Sequence, residues 1–341
     1  MIASTKEISK RIGITGVGSC VPDDVITNAD ISDRVETSDE WIVERTGIRQ
    51  RHIANSDTAA SDLAYPAAEL AISRASISAS DLDLVLVATI TPDMPFPATA
   101  SVVANRVGAD QVAAYDLQAG CSGFVYGITQ AYATIAAGLA KHVLVVGVDL
   151  LTRYIDWNDR STCILFGDGA GAAIVSEVND GGFLSFELGN DGSHIEDLYV
   201  PAGGTRQPLS EDFFPSSDHK MKMNGREVFK FATRSMVVSA CRVLEIAGLE
   251  TNQVDLYVPH QANKRIIDHA VRELGISQEK VIVNVDRFGN TSAASIPICL
   301  DEVFSQGIVK PGMRVLMTGV GTGLTWGSVL MEWSEGMDNR K

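Results

Sequence analysis

"AAYDLQAGCSGFVYGITQAYATIAAGLAKHVLVVGVD", residues 113–149, decides the fold. An apolar strand ends on Asp116, a glycine-bearing turn follows, a helix opens with small residues, and a buried strand closes the unit. The same plan recurs in "VIVNVDRFGNTSAASIPICLDEVFSQGIVKPGMRVLMTGVG", residues 281–321. Asp116 stands five residues before Cys121, and Asp286 stands five before Thr291. This repeat predicts a duplicated α/β fold whose halves supply different parts of one site. A chance likeness between two strand–helix–strand units is the alternative. The glycines of "NDGG" (179–182) place the boundary, giving halves of residues 1–180 and 181–341.

Further out, the runs at 82–90, 142–149, 171–178, 254–260, 280–286 and 314–321 read as buried strands alternating with helical stretches. Segment 203–225 reads as a long surface loop, and "SEGMDNRK" (334–341) as a frayed tail. The first residues mix Lys6, Glu7, Lys10 and Arg11 before any apolar run, unlike a signal peptide. No apolar stretch approaches the roughly 20 residues of a membrane span. A cytoplasmic protein without membrane attachment is expected.

The five cysteines are scattered and include no CxxC pair, so neither a zinc site nor a redox pair is expected. Cys20, Cys163, Cys241 and Cys299 read as small packing residues. The formal charge of −15 opposes nucleic-acid binding and requires a local basic patch for any acidic partner. Lys222, Arg226, Lys230 and Arg234 recur every four residues and would form such a stripe on a helix. A merely solvated helix face is the other reading.

Cys121 lies between Gly120 and Gly123 where strand hands over to helix. Unpaired N–H groups and the helix dipole at such a point favour a thiolate. Packing of a tight turn is the bland alternative. His260, in "VPHQANKRII", follows an apolar strand at the sheet edge where α/β proteins bind ligands. Asn290, in "RFGNTSAASIP", occupies the turn matching that of Cys121 and could otherwise be a helix cap. The loop "GVGTGLTWG" (319–327) lacks the lysine of a phosphate loop, but could aim backbone N–H groups at a developing oxyanion. "GDGAGAA" (167–173) reads as close packing.

A papain-like hydrolase also orders Cys, His and Asn along the chain, and His260 follows Cys121 by 139 residues, within its range. Its local cysteine motif is absent, and a strand–helix–strand repeat does not suit it. A coenzyme A-binding scaffold with an inert Cys121 is a further rival.

At "TSDEWIVERTGIRQRHIA", "GCSGF", "ILFGDGAGAA", "VPHQANKRII", "FGNTSAASIP" and "LTWGS", in that order, the chain resembles the ketoacyl-acyl carrier protein synthase III family. The resemblance implies a thiolase-like fold of layered αβαβα type and a homodimer. It implies a Cys121–His260–Asn290 site, acylated by acyl-CoA and condensing the acyl group with malonyl-acyl carrier protein to initiate fatty-acid synthesis. No cofactor or metal is implied. Backbone N–H groups of Cys121 and Thr322 would bind the oxyanion.

By the same resemblance, Thr37, Trp41, Arg45, Arg160, Gly225 and Asn263 would hold coenzyme A. Lys230 and Arg265 would dock the acidic carrier protein, helped by Lys222, Arg226 and Lys264. Phe96 would wall the partner subunit's acyl pocket. Three departures stand out: Thr322 within the family's triple glycine, Arg226 where asparagine is frequent, and Phe288 before Gly289. Phe96 and Thr322 lead us to expect a short, acetyl-like primer; a specialised or long-chain starter is the alternative.

Overall fold

The Val-, Ile-, Leu- and Ala-rich runs form two five-stranded sheets that share one four-strand topology. The computed structural model describes residues 1–5, 10–209 and 217–334. The predicted 203–225 loop and the predicted tail therefore fall partly outside the described residues. The strands of the first half are β1 (Ile2–Ser4), β2 (Ile12–Cys20), β3 (Val25–Thr27), β4 (Gln50–His52), β5 (Leu84–Ala88), β6 (Ala113–Leu117), β7 (His142–Leu150) and β8 (Asp168–Glu177). Those of the second are β9 (Gly182–Asn190), β10 (Leu198–Tyr199), β11 (Lys222–Met223), β12 (Leu256–Pro259), β13 (Arg314–Gly321) and β14 (Thr325–Glu332).

One sheet runs β2-β8-β7-β5-β6 and the other β1-β9-β14-β13-β12. The strands β9, β14, β13 and β12 thus occupy the places of β2, β8, β7 and β5. Directions agree too: β7 is parallel to β5 and antiparallel to β8, as β13 is to β12 and β14.

The counterpart of β6 corrects the reading of 280–286 as a strand. Only Val281 pairs there, in a parallel bridge with Tyr257. The Gln261 side chain donates to Ile282 O and accepts from the N–H groups of Asn284 and Val285. Those backbone groups are the ones a longer ladder would need. The chain then turns into a short helix, so Asp286 does not sit at a strand end.

The helices in chain order are α1 (Asn28–Ser32), α2 (Asp39–Thr46), α3 (Ala60–Arg74), α4 (Thr99–Val107), α5 (Gly123–Ala136), α6 (Arg160–Cys163), α7 (Gly225–Ala247), α8 (Lys264–Leu274), α9 (Val285–Phe288) and α10 (Ser295–Ser305). Outer layers are α3 with α4 on the first sheet and α7 with α8 on the second. Between the sheets lie α5 and α10. The order is αβαβα, the thiolase-like architecture. Phe124, Ile128 and Ile135 of α5 and Cys299, Leu300 and Val303 of α10 are fully buried there. Each such large aliphatic or aromatic side chain contributes about 1.5–3 kcal/mol by leaving water.

A three-residue turn precedes each inter-sheet helix, Gly120–Ser122 before α5 and Ser292–Ala294 before α10. Topologically, Cys121 therefore corresponds to Ala293, two residues beyond the Thr291 register suggested by Asp116 and Asp286. A Cβ on Gly147 would lie 2.2 Å from Ala293 O, so only glycine lets this turn rest on β7. That contact brings the second half's turn to the first half's cysteine. Gly171 likewise admits Pro297 of α10, as the close-packing reading expected. Among the described residues no helix is long and apolar enough to cross a membrane.

Candidate active site

Cys121 enters the site because β6 stops at Leu117 and the chain reverses through Gly120, whose φ is +56°. Its neighbouring glycines let other elements pack close. A Cβ on Gly120 would lie 2.7 Å from Thr322 N and Cγ2, and one on Gly123 would lie 3.0 Å from Ala88 Cβ. A Cβ on Gly321 would lie 2.5 Å from Cys121 N. The late glycine loop thus sits directly against the cysteine turn. Cys121 and Thr322 both line a cavity of about 580 Å³, walled also by Leu151, Phe166, Leu198 and Met221.

The segment Asn290–Ser295 binds the other two candidates to the cysteine. Asn290 is held by its backbone, which donates to Leu165 O at 2.8 Å and accepts from Gly167 N at 3.1 Å. Its Oδ1 accepts the N–H of Ser292 at 2.9 Å. Ser292 Oγ lies 3.4 Å from Cys121 Sγ, in position to donate to it. Ser295 Oγ lies 2.6 Å from His260 Nδ1. His260 leaves β12 with its N–H on Thr318 O of β13, at 2.7 Å. Cys121, His260 and Asn290 are thus tied to one turn.

Burial dominates the electrostatics. His260 is 1% exposed, and desolvation pushes its pKa down to about 3, so the imidazole is neutral at physiological pH. Burial pushes the Cys121 thiol up to about 12, and the charge of Asp149 adds to this against the hydrogen bond from Ser292. The expected thiolate is therefore overturned for the free chain: loss of hydration outweighs the helix start, and the resting form is a thiol.

Asp149 and Ser292 escaped the sequence reading. The Asp149 carboxylate accepts from Ile90 N at 2.8 Å and from the hydroxyls of Thr89 and Thr91 at 3.1 Å. Its other oxygen accepts from Ala293 N at 3.4 Å, and the carboxylate is also within hydrogen-bond reach of the Ser292 hydroxyl. A hydroxyl has one proton, so Ser292 donates either to Asp149 or to Cys121. Asp149 ends a predicted strand of the first sheet much as His260 follows one of the second, and the strand-end criterion that selected the histidine would have found it. Ser292 has φ +52°, a strained conformation that sequence does not announce.

Comparison with known proteins supports the chain's kinship. A family model described as 3-oxoacyl-[acyl-carrier-protein] synthase III matches residues 115–192, and its C-terminal companion matches 244–333. A beta-ketoacyl-[acyl-carrier-protein] synthase III of Desulfitobacterium hafniense (strain Y51) is 50% identical over 325 residues, 95% of this chain and 98% of that relative. The chain belongs to the beta-ketoacyl-[acyl-carrier-protein] synthase III family. The crystal structure of the 3-oxoacyl-[acyl-carrier-protein] synthase III from Aquifex aeolicus VF5 superposes with TM-score 0.88 at 44% identity, over 94% of this chain and 100% of that one. The priming beta-ketosynthase of the R1128 polyketide pathway superposes with TM-score 0.88 at 35% identity, over 95% and 97% of the two chains.

Positions that the resemblance to the synthase III family assigns to coenzyme A largely converge. The guanidinium carbons of Arg45 and Arg160 lie 4.7 and 4.8 Å from the Trp41 ring centre. The Thr37 hydroxyl is buried without a partner. Asn263 caps α8 through Arg265 N and donates to Arg45 O, joining α8 to α2. Gly225 opens α7.

Of the predicted docking cations, Arg226 and Lys230 are exposed on α7, and Lys264 and Arg265 on α8. Lys230 pairs with Glu227, Lys264 pairs with Asp268, and Arg265 lies over Phe229. Lys222 is corrected: it belongs to β11, before the helix, and bonds Ser217. The stripe on α7 is Arg226, Lys230 and Arg234. Phe96 is 85% exposed. Cys163 and Cys299 pack as expected, but Cys241 is exposed, on the side of α7 away from its buried Ala240, Val243 and Leu244.

Proposed function

We propose that the protein is a 3-oxoacyl-acyl carrier protein synthase III that condenses a short acyl-CoA primer with malonyl-acyl carrier protein. The observation that carries this reading is the single turn that ties Cys121, His260 and Asn290 together beside the 580 Å³ cavity. Residues 1–180 supply the nucleophile, and 181–341 supply His260 and Asn290.

In the first half-reaction, Cys121 Sγ attacks the thioester carbon. Its proton goes to the departing coenzyme A sulfur, so the exchange balances. Backbone N–H groups of Cys121 and Thr322 stabilise the tetrahedral oxyanion. In the second, malonyl-carrier protein loses CO₂ to give an enolate, whose thioester oxygen His260 and Asn290 hold by hydrogen bonds. The enolate carbon attacks the acyl-cysteine. The 3-oxoacyl-carrier protein leaves, and Cys121 regains a proton from solvent. Decarboxylation drives the condensation, and the steps balance without metal or redox cofactor. We place the enzyme in the cytoplasm as a homodimer, with the exposed Phe96 ring reaching across to the partner's acyl pocket.

Mass spectrometry of the intact protein after incubation with a panel of acyl-CoAs tests the reading. It reports both the acylated residue and the preferred primer; absence of any adduct on Cys121 would sink it. A specialised starter is the second reading. It is favoured by the 35%-identical R1128 priming ketosynthase and by a cavity roomier than an acetyl group needs.

Two substitutions separate the partners. Trp41→Ala removes the face on which adenine would stack, a contact worth about 1–3 kcal/mol. It should raise the acyl-CoA KM about ten-fold and leave the carrier-protein KM unchanged; equal effects on both would remove the assignment. Lys230→Glu reverses a charge at the docking face. It should raise the carrier-protein KM about five-fold, with the difference shrinking in high salt. An unchanged carrier-protein KM would end the docking claim.

A further inference from the structure

Thr322 places a hydroxyl and a methyl where the family resemblance leads one to expect bare glycine. Its Oγ donates to Leu198 O. On the other side, its Cγ2 lies 2.7 Å from the place a Gly120 Cβ would take. One side chain therefore spans from the residue before Cys121 to β10.

Among the described residues the strand β10 pairs only with β11, in a two-stranded ribbon outside both main sheets. Leu198, Tyr199, Val200 and Met221 from this region wall the cavity that holds Cys121. Two paired strands of two residues each have little stability of their own, so their position depends on side attachments. Met221 N bonds Tyr154 O at 2.7 Å and Asn224 N bonds Asp197 O at 2.8 Å, which fixes the ribbon's margins. Thr322 joins the ribbon to the glycine loop itself. Glycine at this position could not make that bond.

We infer that Thr322 is a specificity-determining residue: it latches the β10–β11 ribbon to the glycine loop and so restricts Cys121 to compact acyl groups. The inference rests on the proposed synthase reading. The cavity must admit the thioester arm, and in the proposed dimer also Phe96 of the partner subunit. A linear acyl chain then needs the Leu198–Tyr199 wall to move outward, and the latch opposes that movement.

Three variants separate hydroxyl from bulk. Thr322→Val keeps the volume and loses the donor, Thr322→Ser keeps the donor and loses the methyl, and Thr322→Gly loses both. The readout is the octanoyl-CoA to acetyl-CoA ratio of kcat/KM, with Cys121 acylation followed by mass spectrometry. Thr322→Val and Thr322→Gly should raise the ratio about five-fold, the factor to which one neutral hydrogen bond corresponds. Thr322→Ser should match the parent. Parental ratios in all three, or equal changes in the valine and serine variants, overturn the latch while the synthase reading stands. Failure of the parent to acylate at Cys121 with any acyl-CoA overturns both.

Discussion

Cys121→Ala should leave a folded protein that forms no acyl-enzyme with any acyl-CoA. The thiol is small and buried, alanine is smaller, and the turn's shape is set by Gly120 and by Gly321 against Cys121 N. Covalent capture then has no good substitute nearby: the Ser292 hydroxyl is neutral and, with Sγ gone, remains with Asp149. Condensation should fall by more than about 10⁴-fold, the scale on which loss of a catalytic nucleophile acts. A persistent acyl mass on the alanine variant would move the nucleophile elsewhere. Iodoacetamide adds an independent view. Because burial holds the thiol near 12, alkylation at neutral pH should be slow and should accelerate steadily with pH. A rate that saturates below pH 8 would mean that Asp149 and desolvation do not govern the resting thiol.

The duplicated architecture was legible because strand periodicity and two matching turn-and-helix units are local features. The predicted 314–321 strand coincides with β13, and 142–149 falls within β7. The repeat's register was not legible. Asp116 accepts the first N–H groups of α4, whereas Asp286 lies in α9 after Gln261 has taken the backbone groups of the would-be strand. A side chain more than twenty positions away decided that outcome. Cys121, His260 and Asn290 could each be picked out from a strand end or a turn, but their linkage could not. It runs through Ser292 and Ser295, ordinary residues in sequence that matter because the turn before α10 rests on Gly147. The thiol's state was misread for a related reason: a helix start is visible in sequence, whereas complete burial is a property of the assembled layers. Lys222 failed similarly, since four-residue spacing cannot reveal that the helix begins only at Gly225.

His260→Ala should divide the two half-reactions. Ser295 Oγ accepts the N–H of Gln261 at 3.3 Å, which leaves its own proton for His260 Nδ1. We propose the tautomer in which Ser295 donates to Nδ1 and the neutral ring carries its proton on Nε2. A neutral Nε2–H is a donor, suited to the oxygen of an enolate that forms as CO₂ departs. Thiol exchange needs no such donor, because the proton of Cys121 ends on the coenzyme A sulfur. Acylation of the alanine variant should therefore stay within about ten-fold of the parent, while decarboxylation of malonyl-carrier protein falls about 10²–10³-fold. Equal loss in both would remove this division of roles. The pH profile checks the same claim from another side. Desolvation lowers the His260 pKa to about 3, so the ring stays neutral above about pH 4 and charges only as pH falls toward 3. The decarboxylation rate should accordingly show no inflection near the ordinary histidine value of about 6.5. An inflection there, lost in the alanine variant, would mean that an imidazolium rather than a neutral donor carries the step.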